Sequence, residues 1–500
     1  MKLFKNIESI LSHSKRNAFF IKDTFYTYLE LAEVISGLRK GIRFNVRESE
    51  KNIGLIANDD IETYAAIIAL WLEGKAYVPL SAETPGTRNE NIINQAGLRT
   101  IIDSSENLLF PKLNVIESTK LPKALIDLTP NDVSNHDLVY ILFTSGTTGI
   151  PKGVPITRLN LNSFVDAFED FGFDINQHDK CLQMFELTFD LSVMSYLVPL
   201  LKGGCIYTIP KGKVKYSYIF ELMNEHGLTI GLMVPSILHY LRPYFNEINC
   251  PQIRYSLFCG EALPQGLTYE WSKCVPNAKI LNVYGPTEDT IFCTHYTYQR
   301  DMDNKSHHGI LSIGKAMKGT KTIIIDNNNN RVSTGETGEL CLGGSQLTPG
   351  YWNNEEKNKE AFFYSDYKGE NTKFYKTGDL CCSDDDGNIM YLGRLDNQIK
   401  VQGFRVELSE IEFFCKEYLD RINVVAIALT NRTGNIEIGL VIQSDEFKTD
   451  QLIHYLKMKI PPYMMPAQIR FEKVFPLNIN GKTDRKKLES LFIKTNVKQN

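Results

Sequence analysis

Residues 138–153, LVYILFTSGTTGIPKG, constrain this chain more than any other stretch. Val139, Tyr140, Ile141, Leu142 and Phe143 form a β-rich apolar run, which predicts a buried strand. It empties into Thr144, Ser145, Gly146, Thr147, Thr148 and Gly149, with Pro151, Lys152 and Gly153 following. The glycines let backbone N–H groups converge closely on an anion, the hydroxyls add donors, and Lys152 adds a positive charge. A Ser/Thr/Gly run alone would suggest a surface loop; the strand before it and the lysine after it favour a polyphosphate cradle. It is not a Walker A loop: Lys152 follows Pro151, and Gly481-Lys482 has Pro476 where the first glycine should stand.

The loop resembles that of the adenylate-forming superfamily, which includes acyl-CoA synthetases, luciferases and the adenylation domains of nonribosomal peptide synthesis. The resemblance runs from about residue 25 to 488 with each principal motif in order. It implies an α/β fold: a large N-terminal domain (1–394) of stacked α/β subdomains with a β-barrel-like part, and a small mobile α+β C-terminal domain (395–500).

Length and composition bound the architecture. Five hundred residues, 43% of them hydrophobic, can bury a large core, and more than one domain is expected. A net charge of −4, from 55 basic and 59 acidic residues without a basic block, argues against nucleic acid. The N-terminus carries Glu8 and no long apolar run, so no signal peptide is expected. The apolar segment 64–72 is too short to cross a bilayer. Ten cysteines without CxxC pairs support neither zinc nor disulfides. The expectation is a cytoplasmic protein with no membrane insertion.

Local patterns fill in the α/β grammar. Residues 24–42 predict a helix behind Thr27, with Leu29, Leu31, Ala32, Ile35 and Leu38 on its spacing. Residues 52–81 alternate strand, helix and strand, as parallel sheets require. Residues 335–352 predict strands joined by glycine turns, Asp386-Gly387 a hairpin turn, and 423–443 two strands around 432–435. Ser409 and Glu412 predict a capping box.

Residue by residue, the resemblance assigns a site. Asp190, inside the apolar run FELTFDLSVM, reads by itself as a helix cap or a buried hydrogen-bonding carboxylate. It resembles the aspartate that holds the substrate α-amino group in amino-acid-activating relatives. LFCGEALP (257–264) would lie against adenine, and Tyr284 of NVYGPTE would stack on it. Asn282, Val283, Gly285, Pro286 and Thr287 complete that nucleotide segment, with Thr287 and Glu288 handling the α-phosphate and Mg²⁺. Asp379 of YKTGDL would hold the ribose, Arg394 of the Tyr391-Leu392-Gly393-Arg394 segment would contact the nucleotide, and Asp396 would be the hinge. Lys482 of NGKTDR would complete the active site.

The implied chemistry joins two anions, a carboxylate and the ATP α-phosphate, so catalysis is positioning and charge neutralisation. Lys482 and Glu288 would be catalytic; residues 144–149 and Lys152 would hold the β,γ-phosphates. The acyl-adenylate would pass to a thiol, the C-terminal domain swinging between the half-reactions. No carrier domain follows Leu488, so a separate phosphopantetheinylated carrier protein is the expected acceptor. FDLSVM and FCGEALP resemble the D-alanine–carrier protein ligases. By that alignment Asp190, Met194, Leu232, Cys259, Gly260, Val283, Ile291 and Phe292 surround the substrate, and the apolar lining suits a small apolar amino acid, D-alanine first. Leu232 and Phe292 are bulkier than such a ligase predicts. The alternatives are an acyl- or aryl-CoA synthetase, against which Asp190 argues, and a catalytically dead relative, against which the intact charged set argues.

Overall fold

The computed structural model describes residues 9–11, 15–146, 149–420, 422–477 and 483–493. It divides into two compact units, one comprising 1–82, 93–143 and 153–395, the other 83–92, 144–152 and 396–500.

The first unit contains two largely parallel sheets. Its nine-stranded sheet has six consecutive parallel strands, in the order Lys279–Tyr284, Tyr255–Phe258, Ile230–Met233, Lys180–Gln183, Cys205–Thr208 and Asn17–Ile21. Strands of four to six residues flanked by helices are the ordinary product of crossover connections. Neighbouring residues on these strands serve opposite faces: Phe19, Ile206 and Leu257 join one core, Phe20, Tyr207 and Phe258 another. The second sheet, six strands wide, places Asn52–Ile56 between the parallel strands Ala76–Leu80 and Thr100–Asp103, and includes Leu138–Thr144.

A shared core joins the two sheets through helices. Helix Ile61–Leu72 buries every residue except Glu62, which is the pattern of a helix covered on all sides. Trp71 in this layer donates to the Val139 carbonyl at 2.9 Å. On the opposite face of the nine-stranded sheet, fully buried Trp271 donates to Ser256 Oγ at 3.0 Å. Helix Tyr28–Asn45 begins where expected, with Thr27 and Glu30 capping each other's backbone N–H groups. Its Arg39, fully buried, reaches Glu73 at 2.7 Å, Asp127 at 3.1 Å and the Thr129 carbonyl at 2.8 Å.

A five-stranded antiparallel sheet completes this unit. Its fourteen-residue strand Glu370–Ser383 pairs with Gly338–Gly344, Phe362–Tyr367 and Ile389–Arg394. The predicted hairpin turn is present: Gly387 N–H donates to the Asp384 carbonyl at 2.9 Å, and Gly387 takes φ +80°.

The second unit holds the three-stranded sheet Val424–Thr430, Ile436–Ile442 and Gln468–Phe471, with helices Leu408–Leu419, Asp450–Lys457 and Arg485–Ile493. The two strands around 432–435 are where the pattern puts them. The capping box at Ser409 and Glu412 is not. Strand Phe404–Glu407 runs straight into the helix, so Glu407 occupies the cap position and Ser409 is already helical. Glu412 instead accepts from the Ala426 N–H at 3.0 Å and from Arg485 at 2.7 Å. A charged partner outcompetes a backbone cap for that carboxylate.

Candidate active site

The parallel strands of the nine-stranded sheet deliver the candidate residues at their carboxyl ends, where an open α/β sheet collects ligand groups. Asp190 follows Lys180–Gln183 at the head of helix Leu191–Lys202; Leu232 is on Ile230–Met233; Cys259 and Gly260 follow Tyr255–Phe258; Glu288 follows Lys279–Tyr284. The order of those strands sets the order of the residues.

Asp190 is 6% exposed. It stands at the cap position without making a side-chain cap bond, and its Oδ2 accepts from the Ile291 N–H at 3.3 Å. Burial, opposed by the Tyr196 hydroxyl bond and added to by the Asp190 charge, raises the Tyr77 phenol. Burial and Asp190 likewise raise Tyr140. These two tyrosines thus lie within electrostatic reach of Asp190. Met194, Leu232, Cys259, Val283, Ile291 and Phe292 are buried in the same apolar cluster as the Asp190 helix. Phe292 meets Phe164 edge-on at 5.0 Å between centroids, so its ring is seated in aromatic packing.

Glu288 lies in a short turn after the NVYGP segment and is fully buried. Its Oε1 accepts from the Tyr351 hydroxyl at 2.7 Å, and its carbonyl from the Thr348 N–H at 2.9 Å. The turn depends on Gly285, since a Cβ there would stand 2.4 Å from the Phe292 Cα. Neighbouring Asp289 is buried too: burial first, with the Glu288 charge adding, pushes its carboxyl up to about 8.

The nucleotide candidates form a connected set. The Tyr284 hydroxyl donates to Asp379, and burial together with Asp379 raises that phenol well above its ordinary range. Arg394 Nη1 donates to Asp379 Oδ1 at 2.7 Å and to the Thr377 carbonyl at 2.8 Å; Asp379 and Arg394 are register partners on adjacent strands. Tyr391, Leu392 and Gly393 lie on the same strand as Arg394. Asn282 is committed elsewhere, donating to the Leu311 and Ser312 carbonyls at 3.3 and 2.9 Å. Pro286 and Thr287 lead into the Glu288 turn.

Within the second unit, the glycine-rich loop is tightly built. A Cβ on Gly146 would meet the Ile150 carbonyl oxygen at 2.1 Å, and Gly149 takes φ +74°. The Thr144 hydroxyl donates to the Lys152 carbonyl at 3.5 Å and the Ser145 hydroxyl to the Arg405 carbonyl at 2.9 Å. Ser145 therefore spends its proton on the protein backbone, unlike the donor role the composition suggests. Lys152 opens strand Lys152–Thr157 and is half-buried. In the same unit, Asp396 accepts from the Gln398 N–H at 3.1 Å. Thr147, Thr148 and Lys482 lie outside the described residues.

Sequence reasoning missed Tyr351, which donates to Glu288, Gln346, whose amide donates to the Asp289, Thr290 and Phe292 carbonyls, and the nearness of Tyr140, read as strand core, to Asp190. The first two sit in the 335–352 stretch that reads only as strands and turns, and nothing local marks a tyrosine as a carboxylate's partner.

The chain belongs to the AMP-binding enzyme family, whose model matches residues 8–352. It is an adenylate-forming ligase. Among its relatives is the D-alanine--D-alanyl carrier protein ligase of Lacticaseibacillus casei (strain BL23), 31% identical over 95% of this chain and 96% of that protein. A linear gramicidin synthase of Brevibacillus parabrevis is also 31% identical over 95% of this chain, which spans 9% of that relative's length. A solved Vibrio cholerae adenylation domain, AlmE, in complex with glycyl-adenosine-5'-phosphate, shares the fold with a TM-score of 0.86 at 24% identity, covering 98% of this chain and 97% of its own.

Proposed function

We propose that the protein activates a small apolar amino acid with ATP, D-alanine being the first candidate, and passes it to the phosphopantetheine thiol of a separate carrier protein. The observation that carries this reading is Asp190: a carboxylate buried at the carboxyl end of a parallel strand, amid apolar side chains, where an ammonium is the natural counter-charge. The name of the Lacticaseibacillus casei relative, a D-alanine--D-alanyl carrier protein ligase, supports the choice of D-alanine.

Asp190 would hold the ammonium, with Met194, Cys259, Gly260 and Ile291 around the side chain. Tyr284, Asp379 and Arg394 would receive the nucleoside, and Gly146, Gly149 and Lys152 the phosphates. A single carboxylate suits Mg²⁺, which keeps most of its ligands as water and phosphate oxygens. Among the described residues no group of three acidic, His or Cys side chains offers an all-protein cage. Glu288 would hold that ion, which supplies charge neutralisation at the phosphates. Lys482 would bridge the substrate carboxylate and the α-phosphate.

The test is amino-acid-dependent ATP–pyrophosphate exchange across D-Ala, L-Ala, Gly, Ser, Val, β-alanine and several fatty and aryl acids. Exchange with one small amino acid, abolished by Asp190→Ala and by Lys482→Ala, is expected. Exchange only with acids that lack an amine would overturn the reading in favour of an acyl-CoA synthetase. Thiolation assayed from preformed aminoacyl-adenylate should survive Lys482→Ala.

A further inference from the structure

We propose that Gln346 is a positioning residue for the ammonium site, holding the 289–292 turn so that its Ile291 N–H orients Asp190. The inference rests on Asp190 as the ammonium's partner. Its starting point is the backbone: Thr290 and Ile291, both β-branched, take φ of +54° and +75° in succession. Such residues resist the left-handed region, and a pair of them persists only where the surroundings over-determine the conformation.

Gln346 supplies that constraint. It is fully buried, and its side-chain NH₂ donates to the carbonyls of Asp289 at 3.2 Å, Thr290 at 3.3 Å and Phe292 at 3.0 Å. The Thr290 hydroxyl donates to the backbone carbonyl of Gln346. One amide therefore gathers three carbonyls of a four-residue turn, leaving the Ile291 N–H to point out at Asp190.

Gln346 is itself anchored. Asn160 Nδ2 donates to the carbonyls of Ser345 and Leu347, both at 2.9 Å, bracketing it on each side. Asn160 in turn forms a capping box with Thr157 at the start of helix Arg158–Glu169. A rigid helix end thus fixes the loop, the loop fixes the amide, and the amide fixes the turn. The Ile291 N–H engages one lone pair of Asp190 and sets which way the carboxylate's remaining lone pairs face.

Glu288 is held differently, by Tyr351 and by the Thr348 N–H. Neither of those two bonds involves the Gln346 side chain, so ATP-dependent parameters act as an internal control. The protein is assayed by pyrophosphate exchange with D-alanine and with propionate, its counterpart lacking the amine, to give a selectivity ratio of kcat/KM values. In Gln346→Met and Gln346→Glu the ratio should fall about fivefold or more while KM for ATP stays within about twofold, the scale of a lost hydrogen bond. Rates that fall equally for both acids, or an unchanged ratio, would overturn the proposal. Thr290→Val, which removes only the hydroxyl bonded to the Gln346 carbonyl, must lower the ratio in the same direction even if the Gln346 variants do not fold; no change overturns it. Asp190→Ala run alongside separates the two levels. If it keeps the wild-type ratio, the ammonium reading fails and takes this inference with it; if it loses the ratio while Gln346→Met keeps it, only the inference fails.

Discussion

Single side chains in this molecule carry charge in places where burial decides their chemistry. Asp59 is an instance away from the site. Burial pushes its carboxyl from 3.8 up to about 6, even though the Thr208 hydroxyl at 2.9 Å pulls the other way. A folded value above the unfolded one means this group's contribution is fully present below about pH 4 and is lost as the pH rises through about 6. The melting temperature of the wild type, relative to Asp59→Asn, should therefore decline between about pH 4 and 7 and level off above. A pH series of thermal melts on both proteins checks the sign. Tyr351→Phe probes a second residue: it removes the donor to Glu288, and a lost hydrogen bond to a charged group costs about 2 kcal/mol. Exchange activity should fall with it, whereas a melt that moves without any change in exchange would separate Glu288 from the reaction.

At the scale of elements, polar side chains join pieces that hydrophobic pattern merely places near each other. Helices Tyr28–Asn45 and Ile61–Leu72 pack through apolar faces, yet Arg39 on the first ties the end of the second at Glu73 to the 127–129 segment. Among the described residues, Arg39→Met leaves the Glu73 side chain, 5% exposed, with only the partly exposed Arg43 as ion partner. We expect a loss of about 3 kcal/mol in urea unfolding, and partial recovery when Glu73→Gln is added. Elements themselves were readily legible. The helix behind Thr27, the alternation over 52–81 and the hairpin at Gly387 all follow from local spacing and turn chemistry. The capping signature at Ser409 failed because its carboxylate had a better partner some seventy residues on, at Arg485. The candidate site divides the same way. Asp190 stood out as a charge in an apolar run, and Glu288 stood out within its motif. Tyr351 and Gln346 lie more than fifty residues from the groups they hold, and only the folded sheet order brings them there.

Across the whole molecule, two cores on opposite faces of one sheet and a separate C-terminal unit make stability a composite quantity. Among the described residues none of the ten cysteines forms a disulfide, and every one except Cys382 is buried. Burial keeps such thiols protonated and inert, so titration with a thiol reagent should modify one group in the native protein and all ten after denaturation. Early reaction of further thiols would reveal local opening of a core before global unfolding. The three tryptophans add a spectroscopic dimension. Trp71 sits in the core shared by the two sheets, Trp271 in the core on the far face, and Trp352, half-buried, donates to the Gln95 carbonyl. Each indole therefore reports from a different address. Proteins retaining one tryptophan apiece would turn a single fluorescence melt into three, and the order in which their emission shifts to the red is the order in which these layers take on water.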